Sequence, residues 1–162
     1  MGNSNESNPG PGGLTALLSG LKHTLGDLFH GGKLDTELEV MVEVLFGLAG
    51  YLARADSIVT TQEADFVNRL MDELDLPTRG RQLALDSFSR GRLREIDLQH
   101  QTQLFLRTYG RAEVDRLYNA LLGLAAADGR IRPREREFLQ EITIRLGYDA
   151  DVLDRRLEAI GS

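Results

Sequence analysis

The sequence predicts an all-α protein, a compact bundle of about seven helices, and three observations carry that expectation. Apolar residues recur at three- and four-residue spacing along most of the chain. The β-branched alternation that marks strands is nearly absent. The core palette is Leu, Ile, Val and Ala: aromatic residues make up 6% and Trp is missing, which suits helices packed on helices. With 162 residues, 41% of them hydrophobic, the chain is sized for one domain with a real core.

Residues 1–13 are Asn, Ser, Gly and Pro with little apolar content, so a disordered tail is expected there. Over 14–32 the character changes. Leu14, Leu17, Leu18, Leu21, Leu25, Leu28 and Phe29 make one apolar stripe, an accessory amphipathic helix that Gly31-Gly32 ends as a linker. A helical domain is expected over 33–162. Its helices are read at about Thr36–Ala55, Thr61–Leu74, Arg81–Ser89, Leu98–Tyr109, Arg111–Ala127, Pro133–Leu146 and Ala150–Ile160. Pro77, Gly80, Gly91 and Gly110 serve as the punctuation between them.

Composition narrows the function. A net charge of −6 disfavours nucleic acid as a partner. The absence of Cys removes disulfides, thiolate metal sites and cysteine nucleophiles together. The longest uncharged apolar run, Val44 to Ala53, is about half the ~20 residues a spanning helix needs. The start, Met1-Gly2-Asn3-Ser4-Asn5-Glu6, has no basic region and lacks Ser or Thr where myristoylation wants one.

The chain repeats itself at an offset of 72, the distance from Asp56 to Asp128. Without a gap, Val59 then falls on Ile131, Glu63 on Glu135, Phe66 on Phe138 and Leu74 on Leu146. Each unit reads as a helix ending in small Ala residues, an Asp stop, a turn with one apolar plug, and a new helix with a start signal. That signal is a Thr60–Glu63 capping box in the first copy, and Pro133 with Glu135 in the second.

On these residues the chain resembles the TerB-like domain of tellurite-resistance proteins, and more closely the central domain of DjlA-type J-domain co-chaperones. Leu45-Phe46-Gly47 with Gly50, Leu70-Met71-Asp72, Arg81-Gln82-Leu83-Ala84, Ser87-Phe88, Ala126-Ala127-Asp128-Gly129, Pro133-Arg134-Glu135-Arg136 and Leu146-Gly147 carry the resemblance, over about Glu39 to Leu157. It implies a helical, non-enzymatic protein-interaction module in bacterial stress response or chaperone-linked regulation. DjlA-type proteins also have a membrane-spanning segment and a J domain with His-Pro-Asp. No His-Pro-Asp occurs in these residues, so direct Hsp70 stimulation is not implied. Ser57 stands where the usual Asp-Gly turn has the glycine that Gly129 keeps.

Three sets of residues are the candidate sites. Asp56, Glu63, Asp128 and Glu135 offer four carboxylates for a hard divalent cation, Ca²⁺ or Mg²⁺, which would make the domain a sensor. The same residues equally suit helix termination and capping. They do not form EF-hands, because Val67 and Leu139 stand where the bidentate Glu belongs. Arg90, Arg92 and Arg94, with Arg79 and Arg81, form a basic cluster around Asp86 and Glu95 for phosphate, an acidic lipid headgroup or an acidic partner, or a solvated face. Leu17, Leu18, Leu21, Leu25, Leu28 and Phe29 suit the domain itself, a protein partner or second copy, or a membrane surface, the peripheral-adaptor alternative. His23, His30 and His100 share no metal spacing. No cofactor is expected to be required. The expected location is the cytoplasm, with contact to the inner membrane surface as the variant.

Overall fold

The computed structural model describes residues 36–54, 61–126 and 131–161. The polar tail, the amphipathic stripe with Leu17, Leu18, Leu21, Leu25, Leu28 and Phe29, and the turn residues Asp56 and Asp128 lie outside them. Among the described residues the chain is seven α-helices and no strand, as the sequence predicts. They are α1 Thr36–Arg54, α2 Thr61–Glu73, α3 Thr78–Arg92, α4 Leu98–Thr108, α5 Arg111–Ala126, α6 Pro133–Arg145 and α7 Val152–Gly161.

Helix α1 is the centre of the bundle and packs against α3, α4 and α5. Glu37 and Glu39 sit in its first turn, where the helix dipole favours them. The sequence predicts one inward stripe on α1, of Leu38, Met41, Val42, Leu45, Leu48, Ala49 and Leu52. The structure also buries Val44 and Phe46, which lie off that stripe, because neighbours cover the helix on several sides. Around it, α5, α6 and α7 pack on one another, α4 meets α6, and α2 rests on α3.

The repeat is visible in the helices. Shifting the end of α1 by 72 residues gives the end of α5, and shifting both ends of α2 gives both ends of α6. The caps repeat as well. At the end of α2, Leu74, Asp75 and Leu76 donate their amides to Leu70, Asp72 and Met71; at the end of α6, Leu146, Gly147 and Tyr148 donate to Ile142, Ile144 and Thr143. Each is a Schellman cap with its pivot at positive φ, +52° at Asp75 and +92° at Gly147.

Helix α3 corrects the sequence reading. It was expected over Arg81–Ser89, between glycine breakers, but it runs three residues further at each end. Pro77 is its N-cap residue, with φ −68° and ψ 169°, and Gly80 and Gly91 lie inside the helix. The reason is the face it buries. Gly80, Ala84, Ser87 and Gly91 fall at helical spacing and are all buried. A search for large apolar residues misses a face made of small ones. That face lets α3 touch α1 backbone to backbone: a Cβ on Gly91 would stand 2.0 Å from the Gly47 carbonyl oxygen, and one on Gly50 2.1 Å from that of Phe88.

The other helix starts follow sequence signals. Asp97 caps α4, its carboxylate accepting from the amides of Gln99 at 3.0 Å and His100 at 3.3 Å. Glu113 accepts from the Gly110 amide at 3.1 Å ahead of α5. Pro133 opens α6, where its missing N–H is no loss.

Candidate interaction site

An open recess of about 580 Å³ lies between the end of α1, the turn after α3 and the exposed face of α6. It is lined by Tyr51, Leu93, Arg94, Arg134, Glu137, Phe138 and Glu141. Helical spacing explains the α6 wall: Arg134, Glu137, Phe138 and Glu141 follow one another at three, one and three residues and share a face. On the opposite wall, Tyr51 stacks on Phe138 with ring centroids 4.9 Å apart. The Arg94 guanidinium lies over the Tyr51 ring at 4.1 Å. Leu93, 60% exposed, stands beside them. Glu141 is held by Arg145 Nε at 2.9 Å.

The five arginines that the sequence suggests as one basic cluster separate along α3. Arg79 approaches Glu39 at 4.0 Å, and Arg81 binds Asp72 at 2.9 Å and donates to the Leu76 carbonyl at 3.0 Å. At the far end Arg90 pairs with Asp86 at 3.1 Å. Arg92 is half-buried, its Nε enclosed and without an acceptor among the described residues. Arg94 alone of the five lines the recess. The physical reason is length: nine residues of helix separate Arg81 from Arg90, about 13 Å.

Of the four candidate metal-binding carboxylates, only the Glu135 side chain lies among the described residues. Asp56 and Asp128 are outside them, and Glu63 is described in its helical backbone only. Glu135 is 7% exposed, and its Oε1 accepts from the Arg132 amide at 2.8 Å, the N-cap contact its position predicts.

Tyr51, Leu93, Arg134, Glu137 and Phe138 did not emerge as site residues from the sequence. One signal was present. At the 72-residue offset Phe138 falls on Phe66, but Tyr51 falls on Gly123. The stacked pair thus has a ring at a position where the second repeat has none.

A second polar cluster joins α5, α6 and α7. Tyr118 and Thr143 share a buried hydroxyl hydrogen bond of 2.6 Å, and Tyr118 stacks on Tyr148 at 4.6 Å. Asp115 accepts from the Tyr148 hydroxyl at 2.7 Å and from Arg156 at 2.8 Å. Burial alone would raise the Asp115 carboxyl; the hydrogen bonds from Tyr148 and Arg156 and the charges of Arg156 and Arg111 outweigh it and hold it below its ordinary value. Burial, reinforced by Asp115, pushes the Tyr148 phenol up to about 12.

Because the folded phenol ionises above its ordinary value of 10.0, its contribution to stability is complete below pH 10 and is lost as pH rises through about 12. Tyr148→Phe should lower stability at neutral pH by about 1 kcal/mol, the worth of one hydrogen bond to a part-exposed charge. It should also flatten this alkaline loss. Urea melts on both sides of pH 10 check it; an equal alkaline loss in both proteins would place the titration elsewhere.

No helix among the described residues is long and apolar enough to cross a membrane, and none of their His, Asp and Glu side chains gather in threes as metal ligands do.

The sequence model of the family described as tellurite resistance protein TerB matches residues 41–156. Among individual relatives, the chain is 31% identical over 115 residues to co-chaperone protein DjlA of Vibrio vulnificus strain YJ016, covering 70% of this chain and 40% of that protein. To co-chaperone protein DjlA of Vibrio parahaemolyticus it is 30% identical over 143 residues, 87% of this chain and 50% of the relative. To that of Yersinia pestis it is 29% identical over 156 residues, 91% and 56% respectively. The chain spans about half the length of the curated relatives it matches. No solved structure matches it. The matched region takes in α2 to α6 whole, most of α1 and half of α7, with every residue that lines the recess. This chain belongs to the TerB family.

Proposed function

We propose that the chain is a non-enzymatic protein-interaction module of the TerB/DjlA type, acting in chaperone-linked regulation or stress response in the bacterial cytoplasm. The observation that carries this reading is the recess itself. Leu93 is exposed, the half-buried Tyr51 stands beside it on the buried ring of Phe138, and charged side chains of both signs surround them. An apolar centre with a polar rim is the anatomy of a protein-docking patch. The relatives' printed description as co-chaperones supports a partner that is itself protein.

Affinity capture with the full chain from bacterial lysate, followed by co-elution of the chain with the purified captured protein, tests the reading. A stoichiometric complex is expected. Capture of nothing above a bead control, or of proteins that never co-elute after purification, would refute it.

A further inference from the structure

Two arginines in the recess sit where the local backbone disfavours them. Arg94 follows the end of α3 at φ +59°, the left-handed region that an L side chain enters at a cost and that glycine enters freely. It is the pivot of a third Schellman cap: Arg94 donates its amide to Gly91 and Glu95 donates to Arg90. The pivots of the other two caps are Asp75 on α2 and Gly147 on α6. Arg134 is the second residue of α6, next to Pro133, where the helix dipole favours acids and repels cations. Both positions call for another residue on local grounds, and both side chains line the same recess. Places where a sequence departs from local preference concentrate at functional sites.

The chemistry of the lining selects the occupant. Arg94 lies on an aromatic face and Arg134 meets no carboxylate among the described residues, so both guanidinium groups are available to an anion. The recess is not uniformly basic, however. Glu137 faces it without an ion-pair partner among the described residues, and Glu141 is already neutralised by Arg145. A lining of mixed sign repels part of any continuous negative surface, such as anionic lipid or a nucleic-acid backbone. It suits a polypeptide, which carries one carboxylate beside an apolar side chain. We propose that Tyr51, Leu93, Arg94, Arg134 and Phe138 form a docking site for a partner segment of that kind. Its apolar side chain packs on the exposed Leu93 and the edge of the Tyr51 ring, which the buried Phe138 backs, and its carboxylate is held by Arg94 and Arg134. This deepens the interaction-module reading and rests on it.

The test uses the full chain and an array of short synthetic peptides, each placing Leu or Phe beside Asp or Glu, with matched copies carrying Asn or Gln. Amide-resolved NMR then maps the tightest binders. Acidic members are expected to bind best, to weaken with added salt, and to shift Tyr51, Leu93 and Phe138. Arg94→Gly and Arg134→Glu should each weaken binding about tenfold. Both variants move toward local backbone preference, so both should melt within about 3 °C of the parent or above it. Equal binding of the neutral copies, binding that survives both substitutions, or no binder in the array would overturn the site. So would competition by vesicles containing phosphatidylglycerol that Arg94→Gly abolishes. If a partner captured from lysate is still held by both variants, the docking site falls and the interaction module stands; if the parent captures none, the module reading itself falls.

Discussion

Replacing Gly91 or Gly50 with alanine should destabilise the fold by about 3 kcal/mol or more, and replacing Gly47 should not. The three glycines share the crossing of α1 and α3, and alanine helps each helix intrinsically by about 1 kcal/mol. What separates them is the atom a new methyl would meet. At Gly91 it would stand 2.0 Å from the Gly47 oxygen and 2.8 Å from the Tyr51 nitrogen; at Gly50, 2.1 Å from the Phe88 oxygen and 2.9 Å from its carbon. These are backbone atoms of the facing helix, which cannot step aside without parting α1 from α3. At Gly47 the nearest atom is the Ile96 Cδ1 at 3.6 Å, an ordinary contact. Gly47→Ala is therefore expected to be neutral or to stabilise by a few tenths of a kcal/mol up to about 1. Urea denaturation of the three variants gives the answer. A loss at Gly47 equal to that at Gly91 would show that the helices do not cross this closely.

Truncation of two of the largest core residues should be as severe and should report on the repeat. Phe46 and Tyr118 correspond at the 72-residue offset and are both fully buried. Phe46→Ala should cost about 4 kcal/mol through lost burial and the cavity left behind. Tyr118→Ala should cost at least as much, because the Thr143 hydroxyl and the Arg156 guanidinium also lose a neighbour. Thr143 still reaches the Leu139 carbonyl at 2.7 Å, so its hydroxyl is not orphaned, and that moderates the excess. Helix α1 packs against both α3 and α5, so the repeats share one core and each variant should still unfold in a single transition. Two resolved transitions in either variant would mean that the halves are separate folding units.

The residues of the candidate site were only partly legible beforehand. Arg94 stood out as one of a run of arginines, but the run had no spatial meaning, because a helix distributes nearby residues around and along its axis. Tyr51 and Phe138 are 87 positions apart in the sequence, and no local pattern announces that their rings stack. Glu135 was legible in full. A carboxylate three residues after the N-cap has a local partner, the Arg132 amide, and needs no tertiary information to find it.

The same distinction governs the fold. The sequence by itself determined that the chain is helical, where six of the seven described helices lie to within about two residues, and that its two halves repeat. Those features depend on interactions within a few positions: apolar spacing, caps, and stop signals. Tertiary structure decided the rest. It carried α3 through Gly80 and Gly91, because only the neighbouring α1 makes a small-residue face valuable. It buried α1 on several sides rather than one. And it closed the recess, because the stacking of Tyr51 on Phe138 requires two distant helices to come together before either ring has a neighbour.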